Sequence, residues 1–403
     1  MNNWKSDIIT YLLLILITLP FVLVVSISVL SETVAADNVE TDNDSSSWLK
    51  GLILITVSLL TNYFFGEDES ESPPEQEHII IDRPLIDEKE NQEREVLGFY
   101  VNWGETTTSS LSALKKNQQA LDYVAPFWYT LNPDGSLTER YGGPQEDAIS
   151  LASHDELPVL PLINNNRSGN EFLTDPEIRQ KSVSNIAKLL QENNYSGVNI
   201  DFEFIPPETK NDYTLFIKEL ANKLQPLNKM LTVSVFPKVN VPYDLHGAYD
   251  YKAIEPHIDR MVIMTYDHNW SSGSPGPIAP LDWVEKNIEY TLNYLPPEKI
   301  LLGIANYGYD WLASGNGQDL GAKEAKSLAR GKNETILWDS ESKTPYFTYQ
   351  DNLGNQREVW FESSYSLEYK LELLKKYNLQ GIAIWRLGNA EERFWDKIVQ
   401  WLK

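Results

Sequence analysis

The sequence predicts an α/β fold: a closed (β/α)8 TIM barrel with a small α+β insertion between the seventh strand and its helix. Three observations lead there. From Val96 onward, short apolar runs alternate with segments of helical period, the pattern of a parallel sheet flanked by helices. There are eight such runs, the number that closes a sheet of this kind into a barrel. No G-x-G-x-x-G follows the first run and no Walker loop occurs anywhere, so the open doubly wound alternative lacks its phosphate-binding turns.

The strand expectations are 96–101, 123–128, 158–163, 197–204, 231–236, 260–265, 300–305 and 381–385, with helices at 175–193, 212–224, 281–295 and 364–377. Asp175 ahead of Pro176 reads as a helix start, because a carboxylate caps the first free N–H groups and proline suits the first turn. Ser364 is the corresponding expectation before the last of these helices. About fifty residues separate the seventh strand from that helix, far beyond an ordinary connection. Within them, 346–349 and 358–361 flank D-N-L-G-N, a hairpin pattern. The insertion is therefore expected at about 308–362.

Ahead of the barrel the composition changes. Residues 1–95 carry 18 of the 58 acidic side chains and 5 of the 34 basic ones. Residues 8–30 are uncharged and long enough to span a bilayer, and 51–66 form a second, shorter uncharged run. Lys5 and Lys50 each precede a run, so the positive-inside rule gives both the same orientation, which two successive spans cannot share. The expectation is a membrane-anchoring region over 1–66, with one true span or a cleaved leader, and the large domain outside. Residues 67–95, with twelve acidic residues and Pro73-Pro74, read as an acidic linker. Residues 96–403 then form one monomeric domain of a size a single core can fill. A net charge of −24 argues against nucleic acid, which needs clustered cations. With no cysteine, disulfides and thiolate metal sites are excluded, and the five histidines show no ligand spacing; no cofactor or metal is expected.

The segment that carries chemistry is Y-S-G-V-N-I-D-F-E-F, residues 195–204. On a strand, Asn199, Asp201 and Glu203 share one face, and Val198, Ile200 and Phe202 share the other. The apolar set suits the layer under the helices. The polar set then points into the barrel, with Glu203 at the carboxyl end where barrel active sites lie. Burying two carboxyls there is costly unless they are paired. A hydrogen-bonded structural cluster is the bland alternative.

This segment resembles the D-G-x-D-x-D-x-E motif of glycoside hydrolase family 18, the chitinases and related N-acetylglucosaminidases, especially the bacterial spore-cortex and peptidoglycan members. M-T-Y-D at 264–267, L-G-I-A-N-Y-G-Y-D-W at 302–311 and G-I-A-I-W at 381–385 follow in the order of that family's sixth, seventh and eighth strands. The resemblance implies a retaining glycosidase acting on β-linked N-acetylglucosamine polymers such as chitin or peptidoglycan, by the substrate-assisted route. It implies Glu203 as general acid, protonated at rest because Asp201 raises its pKa. Asp201 would hold the acetamido N–H, Tyr266 would orient its oxygen, Asp267 and Met264 would line the same subsite, and Trp385 would form the floor under the sugar. The family's first two aspartates fall here on Ser196 and Asn199; Asn199 is expected to hydrogen-bond Asp201. Among further aromatics, Tyr100, Trp103, Trp270 and Trp311 are candidates for stacking on sugar faces. Two rivals remain at this point, a catalytically silent chitin-oligomer lectin and a membrane-anchored envelope scaffold. The retained Glu203 favours the enzyme.

Overall fold

A computed structural model describes residues 94–102, 110–140, 143–154, 156–312 and 315–403. Eight parallel strands close on themselves: β1 (Glu95–Tyr100), β2 (Tyr123–Leu131), β4 (Leu162–Asn165), β5 (Gly197–Asp201), β6 (Met230–Val235), β7 (Arg260–Ile263), β8 (Ile300–Ala305) and β14 (Gly381–Trp385). β1 pairs with both β14 and β2, which is the closure. A short β3 (Leu137–Glu139) folds back antiparallel on β2.

Alternation along the strands builds two separate apolar layers. Leu97, Phe99, Ala125, Leu162, Val262 and Leu301 fill the barrel interior. Val96, Tyr100, Val198, Ile200, Val233 and Ile263 face outward onto helices such as Pro176–Glu192, Lys210–Leu224 and Leu281–Leu292. The helix starts follow local chemistry. Asp175 accepts from the N–H groups of Glu177 and Ile178. The last of the four helices begins at Ser364, so its cap is Ser363, one residue earlier than expected, in reciprocal hydrogen bonds with Ser366.

The third barrel strand starts later than its apolar run. Pro158 and Pro161 have no N–H to give the ladder, Val159 makes only an isolated bridge to Val124, and β4 begins at Leu162. The fourth ends early, at Asp201. The seventh-strand motif divides: β8 stops at Ala305, and β9 (Tyr307–Leu312) turns into a second sheet with β10 (Gly315–Gly321), β11 (Leu337–Asp339), β12 (Thr344–Gln350) and β13 (Gln356–Phe361), in the order β10-β9-β13-β12-β11. β12 and β13 form the expected hairpin, with Gly354 at φ +80° in its turn, a conformation that costs glycine least. The helix Ala322–Lys332 packs on this sheet and completes the insertion.

No helix among the described residues is long and apolar enough to cross a membrane. The runs 8–30 and 51–66, the linker up to residue 93, and Trp103 lie outside the described residues.

Candidate active site

The carboxyl ends of β5 and β7 carry the chemistry. Asp201 is the last residue of β5, pointing into the barrel, and only 8% of it is exposed. Its Oδ1 is buried with no hydrogen-bond partner among the described residues. Beyond it the ladder stops, and side chains take over the backbone. Asn165, at the end of β4, accepts from the Glu203 N–H (2.8 Å) and donates to the Glu203 carbonyl (3.1 Å), while the Tyr249 hydroxyl donates to the Phe202 carbonyl (2.6 Å). Glu203 is thereby fixed in the same inward direction as Asp201, one step nearer solvent. Its side chain is 28% exposed and receives a hydrogen bond from Arg167 Nη2 (3.0 Å). The chain then reverses at Phe204, φ +55°.

The β7 end is shaped by two tight turns. Thr265 N–H donates to Ile263 and Tyr266 N–H to Met264 (2.8 and 2.9 Å), and Asp267 adopts φ +56°. These kinks turn Tyr266 onto the site. A side chain at position 303 would come within 3.0 Å of the Tyr266 ring and 2.4 Å of the Ile263 carbonyl, so Gly303 is what lets Tyr266 lie there. Asp267 Oδ1 accepts from the hydroxyls of Tyr307 (2.7 Å) and Tyr309 (2.9 Å), both on β9. Trp385, half-buried at the end of β14, stands edge-on against Phe99 (5.4 Å between centroids) and Phe127 (6.5 Å). Tyr266 and Trp385 both pack against the cluster of Ile278, Ala305, Tyr307, Trp311 and Trp360. Met264 is buried at the same end of β7.

Electrostatically the carboxyls act on one another. Burial pushes the Asp201 pKa well up, and Glu203 adds to the rise while Arg167 opposes it. Glu203 is raised first by burial, then pulled down by Arg167 and up by Asp267. Asp267 is raised by burial against the two tyrosine hydrogen bonds. Burial and then the charges of Asp201, Asp267 and Glu203 hold the Tyr266 hydroxyl protonated. One expectation changes in its cause: Glu203 is raised by burial and by Asp267 rather than by Asp201, while Asp201 is itself raised by burial and by Glu203, the two titrating as one coupled pair.

Other expectations are also corrected. Asn199 does not reach Asp201: its Nδ2 donates to Thr232 Oγ1 (2.9 Å) and its Oδ1 accepts from Ser234 (3.0 Å), so it is fully buried between β5 and β6. Tyr100 lies on the outward face of β1, packed edge-on with Trp128 at 6.2 Å, because it has the opposite parity to Phe99. Trp311 is wholly buried in the insertion core. Trp270, by contrast, is 56% exposed on the loop after β7, its carbonyl facing Trp311 Nε1. Asn165 and Arg167, both in L-I-N-N-N-R, were not singled out in the sequence. An unbroken run of amides after an apolar run is the signal that could have pointed to them.

A cavity of about 750 Å³ opens at the opposite end of the barrel, lined by strand starts including Tyr123, Ser196, Met230 and Arg260. It is remote from every group above, and its volume marks no chemistry.

Comparison with known proteins agrees with this geometry. The chain is 31% identical over 308 residues to a cortical fragment-lytic enzyme of Bacillus cereus, covering 72% of this chain and 70% of that one. Among solved structures, the spore cortex-lytic enzyme SleL of Bacillus megaterium superposes with a TM-score of 0.72 at 27% identity, over 78% of this chain and 75% of that one. A chitinase from Chromobacterium violaceum gives 0.71 at 28%, over 77% of this chain and 99% of that one. The family description of the glycosyl hydrolases family 18 matches residues 95–390. With that match spanning the whole barrel and its carboxyl pair, the chain belongs to glycosyl hydrolases family 18 and is a glycoside hydrolase.

Proposed function

We propose that the chain hydrolyses β-linked N-acetylglucosamine polysaccharide, chitin or peptidoglycan, with retention of configuration through the substrate's own acetamido group. The observation that carries this is Asp201 Oδ1, a buried acceptor with no partner among the described residues, beside Glu203 at the mouth. A sugar acetamido N–H brought against Asp201 supplies the missing hydrogen bond and favours its ionised form. The proton of the pair then passes to Glu203, which donates it to the leaving glycosidic oxygen as the acetamido oxygen attacks the anomeric carbon. Tyr266, kept protonated, steadies that oxygen, and Trp385 offers its ring to the sugar's apolar face. Asp267 accepts a sugar hydroxyl while Tyr307 and Tyr309 hold it. Names of similar proteins, cortical fragment-lytic enzyme and chitinase, support this substrate class.

The test is reducing-end release from chito-oligosaccharides and from peptidoglycan, with NMR of the first product. A β-anomer that appears first supports retention; an α-anomer first overturns the substrate-assisted route. We further place the barrel outside a membrane, tethered by residues 8–30 or 51–66. Alkaline carbonate extraction and protease accessibility in intact cells test that arrangement.

A further inference from the structure

Arg167 is the feature the reaction above does not use. It lies on the loop after β4, and its Nη2 reaches Glu203 Oε2 at 3.0 Å. Its guanidinium carbon lies 3.8 Å from the centre of the Phe204 ring, a cation–π contact that helps to hold it in place. The side chain is nevertheless 58% exposed, and among the described residues no other hydrogen bond to a protein atom engages it. Part of a fork built for two parallel hydrogen bonds is therefore left open to solvent beside Glu203.

The loop that carries it is fastened. Asn165 grips the Glu203 backbone, Asn166 donates to Asn132 (3.1 Å), and Ser168 N–H donates back to Asn166 (3.1 Å). Arg167 and Asp267 come to Glu203 from different loops, after β4 and after β7. Asp267 belongs with Tyr266 and the sugar whose acetamido group reacts. Arg167 is bonded to the acid that, in the proposed reaction, protonates the leaving oxygen, and it comes from a different loop than the groups assigned to the reacting sugar. An arginine bonded to the general acid also works against the reaction, because it favours the ionised acid, which has no proton to give. A cation in that place is consistent with turnover when the substrate brings an anion that draws it off.

We propose that Arg167 reads a carboxylate on the leaving sugar, a 3-O-lactyl group free of peptide, and releases Glu203 when it does so. This rests on the hydrolase reading and narrows the substrate to stem-free, lactyl-bearing glycan. A neutral N-acetylglucosamine at the leaving position, or a lactyl group in amide linkage, offers the fork no charge and leaves it on Glu203. The charged and titratable groups facing Glu203 are Arg167 from the β4 loop, Asp201 from β5 and Asp267 from the β7 loop, with the Tyr249 and Tyr266 hydroxyls close enough to feel its charge.

Three tetrasaccharides test the proposal with the full-length chain: N-acetylglucosamine alternating with N-acetylmuramic acid as the free lactyl acid, the same compound as its primary lactyl amide, and chitotetraose. The free acid is expected to have the highest kcat/KM, and Arg167→Gln to lower its advantage over the amide about 30-fold. On chitotetraose the same variant is expected to keep its rate to higher pH, since loss of the cation lets the acid hold its proton longer. Arg167→Lys, which keeps the charge without the fork, should restore the wild-type alkaline limb but only part of the preference. Equal losses on all three substrates, or a wild-type preference for chitotetraose or the amide, overturn the proposal. If the wild type cleaves none of the three, the proposed substrate class fails by itself. Calorimetric binding of free acid and amide then decides on Arg167: a preference abolished by Arg167→Gln supports the assignment, and equal affinities overturn it.

Discussion

The two ends of the barrel treat the same side-chain chemistry in opposite ways. At the end where the strands begin, carboxyls are matched. Asp122, just before β2, accepts from the Val96 N–H at the start of β1 (2.7 Å), and Asp259, just before β7, does the same for Leu231 in β6 (2.7 Å). Lys403 joins Asp122, Arg260 chelates Glu95 through Nε and Nη2, and Lys299 meets Glu255 at 2.8 Å. At the end where the strands stop, Asp201 has no partner on Oδ1 among the described residues, and burial raises the pKa of Asp201, Glu203 and Asp267 alike. The difference teaches where stability and reactivity are kept apart in one sheet. Paired groups at the strand starts hold register, while at the mouth burial outweighs pairing and keeps the carboxyls ready for a substrate.

Substitutions can break that contrast. The largest effect is expected for Glu203→Gln, at least about 1,000-fold lower kcat with the fold retained, since the amide keeps the shape but has no acidic proton. Residual activity near wild type would reject Glu203 as the acid. Next comes Asp201→Asn, about 100-fold lower kcat with a stability gain that depends on pH. The raised Asp201 pKa means the fold favours its protonated form, so this contribution is full below the ordinary carboxyl range and is lost as pH rises through the raised value. Denaturant unfolding should therefore show the variant about 1–2 kcal/mol more stable at neutral pH, the difference closing below about pH 3, under the ordinary carboxyl range. Equal stability at both pH values would remove the unmatched burial from the account.

At the opposite end, Arg260→Met should cost about 2 kcal/mol by stranding the part-buried Glu95, with kcat unaltered. A loss of kcat there would dissolve the contrast. The smallest expected change is for Tyr307→Phe, about fivefold in kcat/KM, from removing one of the two hydroxyls on Asp267. It sharpens the comparison by asking how much of the mouth's reactivity depends on the few bonds it does have.

Much of this was legible in the chain. Each of the eight apolar runs contains or overlaps a barrel strand, and the parity of Asn199, Asp201 and Glu203 placed all three on the inner side. What escaped has physical reasons. A run of apolar residues does not report that Pro158 and Pro161 leave the ladder without donors, so the β4 start was misplaced. β10 reads G-N-G-Q-D-L-G, with no apolar alternation, because it is an edge strand with a largely solvated surface. Aromatic content alone did not separate Tyr100 and Trp311, which are packing residues, from Trp270, which is exposed; for Tyr100 the alternation V-L-G-F-Y held the answer. Arg167 is a lone cation in a polar loop, and only the fold shows that it ends on Glu203.

Tyr307 and Tyr309 belong to the insertion sheet, yet they hold Asp267 on the rim. The appendage is thus wired to the reaction centre by two hydroxyls. Anyone trimming it to shrink the enzyme, or exchanging it with a relative's to alter cleft depth, also unties that carboxyl unless both tyrosines travel with the graft or stay behind on the barrel.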